Sequence, residues 1–210
     1  MKYKVILFDL DGTLTDPQEG ICNCITHALS YYGISKPHSE LTQFIGPPLL
    51  KSFAGLVGEE NAADAVKYYR ERFSVVGLYE NQIYPNVKET LALLKEKGYT
   101  LCTASSKPQV FVEKILHHFD IAQYFTVIGG ATLDGKIGEK EQVIEMVLNA
   151  VKAEKSSVVM VGDTRFDLIG AEIMGLDAIG VTYGFASKDE LAQYRHIALI
   201  DDISQIFDVL

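Results

Sequence analysis

Two carboxylates stand two residues apart at the end of an apolar run, Val5-Ile6-Leu7-Phe8-Asp9-Leu10-Asp11-Gly12-Thr13-Leu14-Thr15-Asp16. Four consecutive apolar residues read as a buried strand. On a strand of period two, Asp9 and Asp11 project the same way. Like charges held together there are costly to leave unpaired. Turn chemistry accounts for Asp11-Gly12, but not for Asp9 directly behind Phe8. A site that gathers a cation and puts a carboxylate to chemical use accounts for both.

Three later segments offer partners for that pair. Ser105-Ser106-Lys107-Pro108 supplies hydroxyls and free amides suited to an anion, and Ser105 is the better placed because it ends a strand. A serine turn stopped by proline is the plainer alternative. Gly135-Lys136-Ile137-Gly138-Glu139-Lys140 leads into a helix expected from about Glu141. The helix dipole opposes a lysine at that end, so Lys140 needs an anion, a phosphate or an aspartate. Lys136 competes for the role, and a solvated loop lysine is the bland reading. In Val161-Gly162-Asp163-Thr164-Arg165-Phe166-Asp167 a further buried strand ends in an acid. Asp163 would complete a metal shell with Asp9, since hard oxygen donors suit Mg²⁺. Asp167 either braces that set or is an ordinary carboxylate in a first helical turn; we expect the former. His27, His117 and His118 sit in helical patterns and read as packing or surface residues.

Composition narrows the partners. The chain has 210 residues, 48% of them hydrophobic, and a formal charge of −9. Phosphate backbones require a basic face, so nucleic acid is not expected as a partner. A small anionic substrate remains compatible, because local lysines and a metal reverse the field inside one cleft. Cys22, Cys24 and Cys102 make an odd count, which points to structural thiols in a reducing compartment. No leader precedes the first strand, and no apolar run approaches the roughly 18 residues of a membrane span. The expectation is a cytoplasmic protein without a membrane partner.

The elements that must hold these residues alternate. Strand character falls at residues 100–105, 158–162 and 178–181, more weakly at 125–129, with helices expected at 86–97, 109–118 and 141–151. Alternation of this kind implies a parallel sheet covered on both faces, with ligands beyond the carboxyl ends of its strands. The polar residues above all stand at such ends. Between about Asp16 and Asn81 the alternation breaks, and three helical patterns appear near 19–32, 49–56 and 62–75. A crossover needs about a dozen residues, so this stretch reads as an inserted helical domain. The expected division is an α/β core of residues 1–15 and 82–210 and a helical cap of residues 16–81.

Taken together these residues resemble the haloacid dehalogenase-like (HAD) superfamily of phosphohydrolases. Asp9-Leu10-Asp11-Gly12-Thr13 matches its first motif, Ser105 its second, Lys140 its third, and Gly162-Asp163-Thr164-Arg165-Phe166-Asp167 its fourth. Phe44-Ile45-Gly46-Pro47-Pro48-Leu49 and Ser106-Lys107-Pro108 are similar to the phosphoglycolate phosphatase-like group. The chain departs from that group in Ser105-Ser106, where Thr-Asn is frequent, and in lacking a Lys-Pro pair at the third motif.

The resemblance implies a Rossmann-like doubly wound parallel sheet with a small all-helical cap inserted after the first strand. It implies Mg²⁺ on Asp9, Asp163 and the Asp11 carbonyl, with Asp9 the nucleophile and Asp11 the proton carrier. Ser105, Ser106, Lys140 and the Gly12 and Thr13 amides would hold phosphate, while Ile45, Gly46, Pro47 and Leu49 would supply cap specificity. The need for such a set is electrostatic: at about 3 Å and an effective dielectric near 20, a carboxylate and a dianionic phosphate repel by roughly 11 kcal/mol. The expected activity is a Mg²⁺-dependent phosphatase acting on a small phosphorylated metabolite through an aspartyl-phosphate. Phosphoglycolate, 5'-nucleotides, pyrophosphate and sugar phosphates are the candidates. A phosphomutase and a catalytically idle phosphometabolite-binding module are the alternatives. A dehalogenase needs neither an acid at position 11 nor a metal. Monomer and homodimer are both open.

Overall fold

The computed structural model describes residues 2–46 and 48–210. The chain forms two compact units: the residues up to Thr15 with Ile83–Leu210, and Asp16–Gln82 between them. The crossings are two-residue strands, β2 (Thr15–Asp16) and β3 (Gln82–Ile83), paired with each other.

The larger unit holds a six-stranded parallel sheet. Its strands are β1 (Val5–Phe8), β4 (Thr100–Pro108), β5 (Phe125–Ala131), β6 (Val158–Gly162), β7 (Asp177–Val181) and β8 (Ala198–Ile200), in the order β5-β4-β1-β6-β7-β8. β1 is central and fully buried, as its unbroken apolar sequence requires. Its register sets the level of the neighbouring strand ends. Phe8 lies opposite Thr103 on β4 and Val161 on β6. Asp9, one residue beyond Phe8, and Ser105 and Asp163, each two residues beyond its partners, therefore lie at the same edge of the sheet.

Helices α5 (Val87–Glu96), α6 (Gln109–His118), α7 (Lys140–Val151), α8 (Arg165–Met174) and the short α9 (Lys188–Leu191) belong to this unit. Val143, Ile144 and Val147 of α7 and Leu168 and Ala171 of α8 pack with Val5, Leu7, Cys102 and Met160 of the sheet. Capping boxes set both helix starts: Glu139 with Gln142 on α7, and Thr164 with Asp167 on α8.

In the sheet of the larger unit, β4 and β8 differ from expectation. β4 runs on to Pro108, with a register shift against β5 between Ser105 and Pro108. β8 gave no strand signal in the sequence, because it is three residues long and half-buried over two of them.

The smaller unit is helical: α1 (Gln18–Ser30), α2 (His38–Leu41), α3 (Leu49–Val57) and α4 (Glu59–Arg72), closed by a π-turn at Phe73–Gly77. α1 buries Ile21, Cys22, Cys24, Ile25, Ala28 and Leu29, and α4 buries Ala62, Ala65, Val66 and Tyr69. Tyr69 stacks on Phe73 inside this core, whereas Tyr68 stacks on the exposed Tyr31 ring with centroids 3.8 Å apart. All three cysteines are buried, and none is in a disulfide. Among the described residues no helix is long and apolar enough to cross a membrane.

Candidate active site

Asp9 follows β1 directly and is buried. Its Oδ1 lies 2.9 Å from the Lys140 ammonium, whose other neighbours are Asp167 Oδ1 at 2.7 Å and the Ala104 carbonyl at 3.0 Å. Three oxygens thus surround the Lys140 ammonium. The ammonium opens α7, where the helix dipole disfavours it, and two carboxylates provide what that placement lacks. Burial works against its charge, but Asp167 and Asp9 outweigh burial and raise its pKa above the ordinary lysine value. Lys136 stands apart: it is exposed and pairs with Asp134 at 2.9 Å.

Asp163 follows β6 and is fully buried. Its Oδ2 accepts from the Phe185 N–H at 2.8 Å, and its Oδ1 accepts the Thr13 hydroxyl at 3.4 Å. Asp167 Oδ2 accepts from the Thr164 N–H at 3.0 Å and the Thr164 hydroxyl at 2.8 Å. Both Asp167 oxygens are therefore engaged, which suits a bracing role. Gly162 and Gly12 make room for these acids: a Cβ at Gly162 would lie 2.2 Å from Asp167 Cγ, and one at Gly12 would lie 2.0 Å from Asp163 Oδ2. Gly12 also has φ of +83°, a conformation that disfavours a side chain.

Asp9, Asp163 and Asp167 form the group of potential ligands found among the described residues, their oxygens within 4.8 Å of one another. Burial, then the neighbouring acids, push the Asp163 carboxyl well above the usual carboxylate range, and burial also raises Asp167. Three buried carboxylates face a single ammonium, an excess of negative charge that a divalent cation would relieve. An all-oxygen donor set suits Mg²⁺, so the residues fit the metal.

Asp11 has a different partner. Lys107 Nζ lies 2.6 Å from its Oδ2 and 2.7 Å from its Oδ1. Burial raises the Asp11 carboxyl above the ordinary aspartate value, against the pull of Lys107. Ser105 is buried and accepts the Lys107 N–H at 3.3 Å, while Ser106 is exposed. Gly12 and Thr13 are buried in the turn after Asp11.

In the helical unit Ile45 is buried, Gly46 is exposed with φ of +102°, and Leu49 is half-buried at the start of α3. Pro47 lies outside the described residues. Arg165 is exposed and reaches Glu190 at 3.5 Å. Sequence reasoning passed over Lys107 and the loop after β7. Ser106-Lys107-Pro108 carried the signal for the first, because a lysine at a strand end beside an acidic turn has a reason to be there. No spacing rule pointed to the second.

A family model described as haloacid dehalogenase-like hydrolase matches residues 6–181. The chain belongs to this family. Among its relatives, the hydrolase is 43% identical to a 5'-nucleotidase of Pseudomonas aeruginosa, over all of this chain and 96% of that protein. It is 31% identical to a phosphoglycolate phosphatase of Haemophilus influenzae, over 100% and 99% of the two chains. The solved structure of protein tyrosine kinase A (PtkA) of Mycobacterium tuberculosis matches with a TM-score of 0.86 and 32% identity, covering 99% of this chain and 98% of that one.

Proposed function

We propose that this HAD-like hydrolase is a Mg²⁺-dependent phosphatase that hydrolyses small phosphate monoesters through an aspartyl-phosphate on Asp9. The observation that carries the reading is Lys140, buried between Asp9 and Asp167 with Asp163 in the same cluster. A buried acid with its own ammonium and two further carboxylates matches what a nucleophile facing a dianionic phosphate needs.

Asp9, Asp163 and the main-chain carbonyl of Asp11 would hold the metal. Bound there, Mg²⁺ supplies charge neutralisation and Lewis-acid polarisation of the phosphoryl group. The carboxylate of Asp9 attacks phosphorus, and the ester oxygen leaves as Asp11 gives it a proton. Water then attacks the acyl phosphate while Asp11 takes the proton back, releasing orthophosphate and restoring Asp9. A carboxyl raised by burial suits both halves of that exchange. Lys140 orients Asp9, and Asp167 keeps Lys140 in place. Ser105 orients phosphoryl oxygens, whereas the Gly12 and Thr13 amides are already bonded inside their own turn, to Thr15 O at 2.7 Å and Leu10 O at 3.3 Å. Ile45, Gly46, Pro47 and Leu49 are proposed to select among substrates.

Likeness to a 5'-nucleotidase over the full chain puts nucleoside 5'-monophosphates first among substrates, with phosphoglycolate next. The likeness to a tyrosine kinase makes the phosphoryl acceptor the quantity to measure. Three buried cysteines outside any disulfide fit a reducing, cytoplasmic setting.

The test is orthophosphate release with Mg²⁺ from 5'-nucleotides, phosphoglycolate, pyrophosphate and glucose 1-phosphate. We expect turnover that Asp9→Asn abolishes. Unchanged turnover in that variant would overturn the covalent mechanism. Conversion of glucose 1-phosphate to its 6-isomer without orthophosphate would mark a phosphomutase, and a wild-type protein inactive on the whole panel would mark a binding module.

A further inference from the structure

The loop after β7, residues 182–186, enters the site above only through the Phe185 amide. Its start is anchored on β8: the Thr182 N–H donates to Ile200 O at 2.9 Å, and the Thr182 hydroxyl bonds the Asp201 carboxylate. From that anchor it reaches the turn beyond Asp11. The Tyr183 hydroxyl donates to the Thr13 carbonyl at 2.8 Å. The Tyr183 ring lies against Tyr84 with centroids 4.9 Å apart, and the Tyr84 N–H donates to Leu14 O at 3.1 Å. Gly184 approaches so closely that a Cβ there would stand 2.4 Å from Gly12 O and 2.3 Å from Asp163 Cβ.

The turn itself is tightly bonded. Gly12 N–H donates to Thr15 O at 2.7 Å, and the Leu14 and Thr15 amides donate to Leu10 O at 2.9 and 3.0 Å. Those bonds fix the turn's internal shape, but they do not fix its direction relative to the sheet. The Thr13 carbonyl is not used inside the turn, and the Tyr183 phenol takes it. Burial, then Asp163, raise the Tyr183 phenol above its ordinary value, so at neutral pH it keeps its proton and remains a donor. The buttress therefore runs from β8 through Thr182 and Tyr183 to Thr13, two residues beyond Asp11.

We infer that Tyr183 is a positioning residue: its bond to the Thr13 carbonyl aims the turn that carries Asp11. The inference rests on the phosphatase reading of the site. Small displacements of a proton carrier are costly, because transfer requires hydrogen-bond reach in the reacting geometry.

Tyr183→Phe deletes the bond and keeps the ring on Tyr84. Tyr3→Phe is the control, since the Tyr3 hydroxyl donates to Asp177 Oδ2 at 2.8 Å at the opposite end of β7. The expectation for Tyr183→Phe is a kcat about tenfold lower, with KM within about twofold, the signature of an interaction that matters to the reacting geometry rather than to binding. Amide hydrogen exchange at residues 12–15 should be about tenfold faster, the effect of losing one net hydrogen bond. Tyr3→Phe should lower the melting temperature and leave kcat and that exchange unchanged. If Tyr183→Phe lowers the melting temperature but leaves kcat at the wild-type value, the inference is wrong. Should the wild type release no phosphate from any substrate, the phosphatase reading fails instead. Exchange at residues 12–15 then decides whether Tyr183 holds the turn, and an unchanged rate overturns it.

Discussion

Lys107 closes on Asp11 with its Nζ 2.6 Å from Oδ2 and 2.7 Å from Oδ1, so the acid that is proposed to carry the proton has an ammonium of its own. Two opposed effects act on that carboxyl. Burial raises its pKa, and Lys107 lowers it. Removing the lysine leaves burial and the Asp9 charge opposed by Lys140 alone. Lys107→Ala should therefore move the Asp11 limb of the pH–rate profile for an alkyl phosphate monoester to higher pH. A limb that stays in place or moves to lower pH would show that the pair does not control the acid.

Lys140 makes the reverse case, an ammonium that two acids hold. Breaking a buried pair by deleting one partner typically costs about 3–5 kcal/mol, because the remaining charge stays buried. Lys140→Met should lose stability on that order. The sign with pH comes from the acids left behind. Asp167, already raised by burial, loses the ammonium that lowers it and rises further above the unfolded value of about 3.9, so the unfolded state gives up its proton first and rising pH favours unfolding. Urea unfolding at pH 5 and pH 8 should show the larger loss at pH 8.

Much of this site was legible because strand ends carry strong local signals. The apolar run before Asp9 and the run before Asp163 are buried strands of one parallel sheet, and parallel register alone brings their ends together. Lys140 was legible as an anomaly, a cation opening a helix. Lys107 was harder, because in sequence it belongs to a Ser-Pro turn and its partner lies 96 positions away. Tyr183 was harder still, because a tyrosine after a strand has many structural reasons to be there. Its meaning appears only once Gly184 is seen pressed against Gly12 and Asp163. β8 was missed for want of length.

Metal should act on stability as well as rate. In the metal-free protein, burial and mutual repulsion raise the Asp163 and Asp167 carboxyls. An acid raised on folding destabilises the native state as pH climbs past its unfolded value, and the loss is complete once pH exceeds the folded value. A divalent cation on the cluster opposes that loss by binding the native state. Melting temperatures measured in EDTA should therefore fall between pH 5 and pH 8, and Mg²⁺ should restore most of the difference. Asp163→Asn should abolish the restoration. An equal Mg²⁺ response in that variant would place the metal elsewhere.

The helical unit has a weak point independent of the chemistry. Gly20 on α1 faces the π-turn so closely that a Cβ would lie 2.1 Å from the Gly77 carbonyl oxygen and 2.7 Å from Glu80 O. Both obstacles are backbone, and they cannot rotate away as a side-chain tip would. The same segment is pinned by Arg72, whose guanidinium grips Glu80 at 2.6 and 2.8 Å. Alanine usually favours a helix over glycine by roughly 1 kcal/mol, so propensity alone would make Gly20→Ala stabilising. Overpacking costs about 1–3 kcal/mol or more when the neighbours are rigid, and here it should win. Gly20→Ala is expected to lower the urea midpoint, with Gly33→Ala as a comparison whose Cβ meets nothing within 4 Å but whose φ is +67°. A Gly20→Ala protein as stable as wild type would mean that α1 can shift away from the π-turn at little cost.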